Sequence, residues 1–223
     1  MIEIVKLDKN FVIIYKPVGM PSQSDPSGDP DAMTLTAATL KDMGESNRLW
    51  LVHRLDRTVS GLMVLARNER AAAELSRIAA GEGMGKRYLA VVEGAPEDGV
   101  YRDYIYKDAR LSKAFVTNSA RRGVKDAELV LERIATRENK SLCRVTLHTG
   151  RYHQIRVQLA SRKCPIVGDG KYGSRDKGAR NPALIAYRLD FVLFGRSCTA
   201  TRLPDVSGYP WSEFKAEIEG EAL

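Results

Sequence analysis

Between two apolar runs, Leu49-Trp50-Leu51-Val52 and Leu62-Met63-Val64-Leu65-Ala66, the chain places His53, Arg54, Asp56 and Arg57. Runs of this kind feed buried strands, so the turn that joins them is held close to the core. For an aspartate at large, a solvated surface turn is the commoner setting. Here a carboxylate kept beside a core needs a cationic or hydrogen-bonding partner to stay ionised. An ionised, fixed Asp56 can act as a nucleophile or as a general base. A fold for this chain has to bury both runs and still present the turn between them.

The rest of the pattern is read around that turn. Phe11 to Tyr15 is a short apolar run, ended by the turn Lys16-Pro17-Val18-Gly19. Residues 21–33 are rich in Pro, Ser, Gly and Asp, and read as an exposed loop, the most disordered-looking part of the chain. A short helix is expected over 34–43 and a strand over 61–67. Asn68 is placed to cap a helix of strongly helical composition, A-A-A-E-L-S-R-I-A-A, which Gly81, Gly83 and Gly85 stop. Strands are expected over 87–93, 100–106, 127–134 and 142–147. Residues 153–162 return to helical spacing, with Ile155 and Leu159 on one face. Closing strands are expected over 184–194, 197–201 and 214–218. Strands dominate, which predicts an α+β fold on a large, mostly antiparallel sheet. With no internal repeat and no long linker, residues 1–223 read as one domain.

Charge and cysteines narrow the classes. Lys and Arg number 35 against 28 Asp and Glu, a net charge of +7, which tilts the chain toward a polyanionic partner. Cys143, Cys164 and Cys198 are widely separated and form no C-x-x-C pair, which argues against a zinc site and suits a reducing cytosol. They read as packing residues. No apolar run approaches the roughly 20 residues of a membrane helix, and the first ten residues do not form a signal peptide.

A second basic stretch lies in Leu147 to Gln158, where Arg151, His153 and Arg156 sit near the start of the expected helix. Cations there oppose the helix dipole at a cost of tenths to about 1 kcal/mol each. An anionic partner explains that cluster better than a solvated basic face does. Tyr88 shares a strand face with Lys86 and Ala90, where a core role is the default. Gly168 to Gly173 lacks phosphate-loop spacing and reads as a tight turn.

Together these stretches resemble the RluA family of RNA pseudouridine synthases. His53-Arg54-Leu55-Asp56 followed by Ser60-Gly61-Leu62 is similar to the family signature. Lys16-Pro17-Val18-Gly19 is similar to its K-P-x-G turn, and Lys86-Arg87-Tyr88-Leu89-Ala90 to its tyrosine motif. Thr149-Gly150-Arg151, His153-Gln154-Ile155-Arg156 and Pro165-Ile166-Val167-Gly168-Asp169, with Tyr172-Gly173, are similar to its third block. The resemblance runs in order from roughly residue 5 to 205. Val59, Tyr152, Gln158 and Ile185 depart from the family's usual residues and bear on which RNA is chosen.

The resemblance implies the pseudouridine synthase fold, a central mixed and largely antiparallel sheet with flanking helices and a catalytic cleft. It implies isomerisation of specific uridines in structured RNA, ribosomal or transfer, to pseudouridine, without cofactor or metal. Asp56 is then the essential carboxylate, Arg156 its partner, and Tyr88 the ring that stacks on the base and moves a proton. Arg54 enters the space left by the flipped nucleotide. His53, Arg57, Arg151, His153 and Gln154 are expected to contact the RNA. The expected setting is a cytoplasmic monomer with no membrane partner, its catalytic domain starting almost at Met1, without the N-terminal RNA-binding domain of many relatives. The rival readings are a non-catalytic RNA-binding protein on the same scaffold and a two-carboxylate hydrolase. The recognised motifs offer no second acid for the latter.

Overall fold

Strand β2 (Phe11–Lys16) runs antiparallel to β4 (Ser60–Ala66), with Phe11 opposite Ala66 and Lys16 opposite Gly61. Both strands are covered on both faces. Phe11 and Ile13 pack with Leu75 and Ile78 of α2 (Glu69–Ala80), while Val12 and Ile14 pack with Ala32 and Leu40 of α1 (Ala32–Asp42). Burial on both faces is why these segments are unbroken apolar runs rather than alternating ones. Each fully buried Leu or Ile in them contributes about 2 kcal/mol.

The computed structural model describes residues 2–81 and 83–221, which fall into two compact units. The first comprises residues up to Gly85 together with Ala186–Arg202. In it β1 (Glu3–Leu7) pairs with β2, β2 with β4, and β4 with β10 (Leu184–Leu193). β11 (Arg196–Thr201) extends from β10, and the short β3 (Trp50–Leu51) lies along the end of β4.

Local chemistry sets the helix starts. Asn68 caps α2 as expected, its side-chain oxygen accepting the Ala71 N–H at 2.9 Å. α1 starts at Ala32, two residues before the expected Thr34, because Asp31 accepts the Thr34 N–H at 2.9 Å. The segment 21–33 is exposed over 23–30, yet it is hydrogen-bonded at both ends.

The second unit comprises Lys86–Ile185 and the residues from Leu203 onward. Its strand order is β5 (Met84–Glu93), β9 (Lys140–Leu147), β8 (Val124–Arg137), β6 (Gly99–Asp108), β7 (Lys113–Thr117). Every strand pair whose register is described is antiparallel. β7 was not expected. It is a five-residue edge strand with Phe115 outward, too short to show a period. α3 (Gln154–Ser161) buries six successive residues, Gln154 to Leu159, so it is a core helix rather than one with a solvated basic face.

Residues 214–218 are helical, contrary to the expected strand. A 3-10 turn over Trp211–Phe214 leads into α4 (Lys215–Gly220). Phe214 and Ile218 are four apart and both buried. Glu213, Glu217 and Glu221 recur with the same spacing and pair with Lys140, Arg137 and Arg144. A period of four suits a helix, and five residues were too few to distinguish it from alternation.

Candidate active site

Asp56 sits at the start of a tight turn, its carbonyl accepting the Val59 N–H at 3.0 Å. Leu55 and Val59, 4% and 3% exposed, anchor the turn on either side of the half-buried Asp56. Two further segments of the same unit brace it. Ser22 is buried and exchanges a pair of hydrogen bonds with Leu55: it donates to the carbonyl at 2.8 Å and accepts from the N–H at 3.0 Å. Lys16, at the end of β2, is fully buried. Its ammonium donates to the carbonyls of Met20 at 2.8 Å, Pro17 at 3.0 Å and Arg57 at 3.4 Å. The Arg57 carbonyl also receives the Gly19 N–H at 2.8 Å, from a glycine at φ +86°.

Three carbonyl acceptors suit the three N–H groups of an ammonium. Burial nevertheless lowers the Lys16 pKa to about 8. The nearby Asp56 charge opposes that shift, and Arg57 adds to it.

The residues around Asp56 do different things. His53 Nε2 accepts the Val64 N–H at 3.1 Å. β3 pairs with β4 only at Ala66 and Leu65, so the imidazole serves as the acceptor just past the end of that ladder. Arg54 is exposed and forms no ion pair among the described residues. Arg57 is turned toward the 21–33 segment, where it pairs with Asp29 and Asp25 and donates to Ser27 Oγ at 3.0 Å. Its hydrogen bond holds the Asp29 carboxyl below the usual range. Gly61, in the signature itself, has φ +131°. A Cβ there would lie 2.4 Å from the Ala186 carbonyl oxygen, so the close approach of β10 requires glycine.

In the second unit, Arg156 is 4% exposed and bound bidentately by Asp169, with Nε to Oδ2 at 2.7 Å and Nη2 to Oδ1 at 2.8 Å. Its guanidinium carbon also lies 5.0 Å from the centre of the Tyr172 ring. The Tyr172 hydroxyl accepts the Ala114 N–H at 2.8 Å and is bonded to His153 Nδ1 at 2.9 Å. His153 has φ +54°, and its ring stacks on Tyr152 with centroids 3.8 Å apart. Tyr88 lies on β5 opposite Val145 and is 6% exposed, on the same face as Lys86, whose pKa burial lowers.

Gln154 is 2% exposed and committed to the fold. It accepts from Thr149 Oγ1 at 2.8 Å and from the Arg151 N–H at 2.9 Å, and donates to the Glu128 carbonyl at 3.1 Å. Arg151 Nε donates to the Asp126 carbonyl at 2.6 Å. Of the residues that depart from the family pattern, Gln158 holds Asp103 and the Tyr101 carbonyl, at 2.6 and 3.1 Å, and Val59 and Ile185 are buried.

One turn thus carries His53, Arg54, Asp56 and Arg57, and the start of α3 carries Arg151, His153, Gln154 and Arg156. Sequence reasoning gave no individual role to Lys16, Ser22, Asp169 or Tyr172. Lys16 had a signal, being the charge that ends an otherwise buried strand. Asp169 had one too, an acid one glycine after the apolar Pro165-Ile166-Val167. Ser22 sits in a loop of low complexity and had none. The cysteines are buried free thiols, Cys143 pushed up to about 12 by burial. Among the described residues, no group of three or more His, Cys, Asp or Glu is placed to hold a metal, and no helix is long and apolar enough to cross a membrane.

A family profile described as RNA pseudouridylate synthase matches residues 10–161. An uncharacterized RNA pseudouridine synthase of Haemophilus influenzae is 30% identical over 203 residues, covering 91% of this chain and 88% of that protein. The ribosomal large subunit pseudouridine synthase D of Xanthomonas campestris is 35% identical over 205 residues, covering 83% of this chain and 60% of the relative. Against that second protein the chain spans under two thirds of the length. The structure of human RNA pseudouridylate synthase domain containing 4 superposes with a TM-score of 0.77 at 22% identity, covering 97% of this chain and 93% of that one. The likeness establishes the pseudouridine synthase fold, and with it the expected α+β class.

Proposed function

Since the chain belongs to the RNA pseudouridylate synthase family, of RluA type, we propose that it converts specific uridines in structured RNA to pseudouridine, with Asp56 as the essential carboxylate. The observation that carries this reading is the bracing of the Asp56 turn by a buried ammonium and a buried serine. So much fixed backbone behind one half-buried carboxylate suits a group that must meet a reacting atom at a set distance.

The reaction is an isomerisation. The bond from ribose to the base nitrogen breaks, the base turns, and ribose is rejoined through a ring carbon. One proton leaves that carbon and one is gained by the freed nitrogen, so nothing is oxidised or reduced. Asp56 meets the nucleotide after it is flipped, and exposed Arg54 fills the vacated place in the helix. Tyr88 stacks on the uracil and its hydroxyl handles the late proton. In this reading Arg156 keeps Asp56 ionised, and Asp169 holds the Nε and Nη2 edge of its guanidinium. His53, Arg57, Arg151, His153 and Gln154 serve the RNA contact in this reading, each also holding backbone or loop groups of its own unit.

Residues 1–223 act as one catalytic domain in this reading, because the first unit draws on two separate stretches of chain. The protein works as a monomer in a reducing cytoplasm, the setting that suits its three free thiols. The name of the Xanthomonas relative makes large-subunit ribosomal RNA the first substrate to test, before transfer RNA.

The test is pseudouridine mapping on both RNAs after incubation with the parent and with Asp56→Asn. The parent is expected to give product at a few positions and Asp56→Asn none, with RNA affinity retained because phosphate contacts come from other residues. Product from Asp56→Asn at the parent rate removes the catalytic assignment. Binding without product by the parent returns the non-catalytic RNA-binding reading, and release of free uracil would indicate a hydrolase.

A further inference from the structure

A cavity of about 360 Å³ opens in the first unit where the β1–β2 turn, the start of α2 and the β10–β11 hairpin meet. Lys6, Lys9, Arg70 and Arg196 line it, against one acid, Asp8. All four cations are exposed, and none forms an ion pair among the described residues. Asp8 is already engaged, accepting the Asn10 N–H at 2.8 Å. The cavity therefore carries an excess of cations, four against one acid, and a positive field.

The hairpin tip supplies an independent observation. β10 and β11 are joined by two residues, Phe194 and Gly195, with φ of +50° and +77°. A two-residue turn with both φ values positive favours Asn, Asp or Gly at its first position. A phenylalanine there is held in a conformation that its side chain disfavours. It gains little burial in return, being 41% exposed. Its ring lies at the cavity, 4.6 Å from the Arg70 guanidinium carbon. Strain that brings no packing calls for a functional reason.

We propose that this cavity is an auxiliary RNA subsite, in which the four cations take backbone phosphates flanking the target and Phe194 takes an unpaired base. Charge plus one exposed aromatic face is the combination that holds nucleic acid without reading sequence. The proposal rests on RNA being the substrate, and it adds a second point of attachment. Its position gives a length rule. Phe11, in the cavity wall, and Lys16, beneath the Asp56 turn, are the two ends of β2. Five steps of strand span about 17 Å at ~3.4 Å each. An unpaired RNA strand can cover that span in a few nucleotides, so RNA must extend beyond the target nucleotide to reach the cavity.

The experiment compares two RNAs, a stem-loop that ends at the target nucleotide on that side and one extending about fifteen nucleotides beyond it. The proteins are the parent, Arg70→Glu with Arg196→Glu, Phe194→Asn, and a charge-matched control, Lys41→Glu with Lys163→Glu. For the arginine pair, dissociation constants for the long RNA are expected to rise at least about tenfold. The slope of log K against log salt should shrink by about 2, one per lost phosphate contact. The short RNA should bind as before, and the single-turnover rate at saturating RNA should stay within about twofold. Phe194→Asn should melt no lower than the parent, since Asn suits the turn, yet bind the long RNA about tenfold more weakly.

Parent-like binding of the long RNA by both variants overturns the proposal. So does equal loss on both RNAs, or equal loss in the control, because either is a general charge effect. Inorganic phosphate and AMP are titrated alongside: binding of these by the parent alone, with RNA affinity unchanged in the variants, assigns the cavity to small anions and also overturns it. All of these readouts are affinities. A parent that binds both RNAs but forms no pseudouridine would instead count against the catalytic reading.

Discussion

Asp169 shows how a buried acid can hold in place a residue for which a catalytic role is proposed. Its carboxylate is 1% exposed and bonded twice to the buried Arg156. Asp169→Asn keeps the shape but removes the carboxylate charge that meets the buried guanidinium twice, a change expected to cost about 3–5 kcal/mol. Replacing both partners with apolar residues, Arg156→Met with Asp169→Leu, should recover much of that stability and none of the activity. Urea denaturation of the three proteins checks this; a single mutant as stable as the parent would show the pair to be dispensable to the fold. Asp56→Asn should be milder, because Arg156 keeps both bonds to Asp169. Lys16 gives a pH signature. Its folded pKa is about 8, below the 10.5 of the unfolded chain. Between those values the unfolded chain binds the proton that the folded chain has released, so the Lys16 contribution to stability rises with pH across that window. Below pH 8 both states are protonated and the burial penalty is complete, about 3 kcal/mol. Relative to Lys16→Met, the parent should gain about that much between pH 8 and 10.5. A stability difference that stays flat over that range would mean the ammonium is not desolvated.

At the scale of elements, the Asp56 turn is fixed by strands that end beside it. β2 delivers Lys16, β4 starts immediately after the turn, and β10 closes against Gly61. Gly61→Ala would place a methyl 2.4 Å from the Ala186 oxygen and 2.5 Å from its nitrogen. Those are backbone atoms in a paired strand and cannot turn aside, so one of the two strands must move. A loss of at least about 3 kcal/mol is expected, combining overpacking with a φ that suits glycine. The same substitution at exposed Gly44, also at positive φ but with nothing within 4 Å, should cost only the conformational part. Equal losses at the two sites, read from thermal melts, would mean that close packing of β10 is not what Gly61 provides.

Over the whole molecule, the net charge of +7 does not settle a partner, since it does not say which cations are paired, as in Arg57–Asp29, Arg137–Glu217 and Arg144–Glu221, and which are not. What matters is where cations are left without acids, and that is decided by folding. The sequence by itself determined the elements with strong local causes. The apolar runs of β2 and β4 follow from burial on both faces, and the Asn68 cap needs only its own N–H neighbours three residues on. It also determined the candidate turn, because a mixed-charge stretch between two buried runs is visible without coordinates. Local signal failed where two patterns coincide over a few residues, as at Phe214–Ile218, or where a period never develops, as in β7. Only the tertiary structure decided the partners. Ser22 and Leu55 are 33 residues apart, Lys16 and Arg57 are 41 apart, and the turn at Gly168–Gly173 proved to carry the acid of Arg156. It likewise joined Gln154 to the Glu128 carbonyl of β8, and gathered Lys6, Lys9, Arg70 and Arg196 around one cavity. Such pairings cost chain entropy that only the collapse of the whole core offsets, so no short stretch of sequence can encode them.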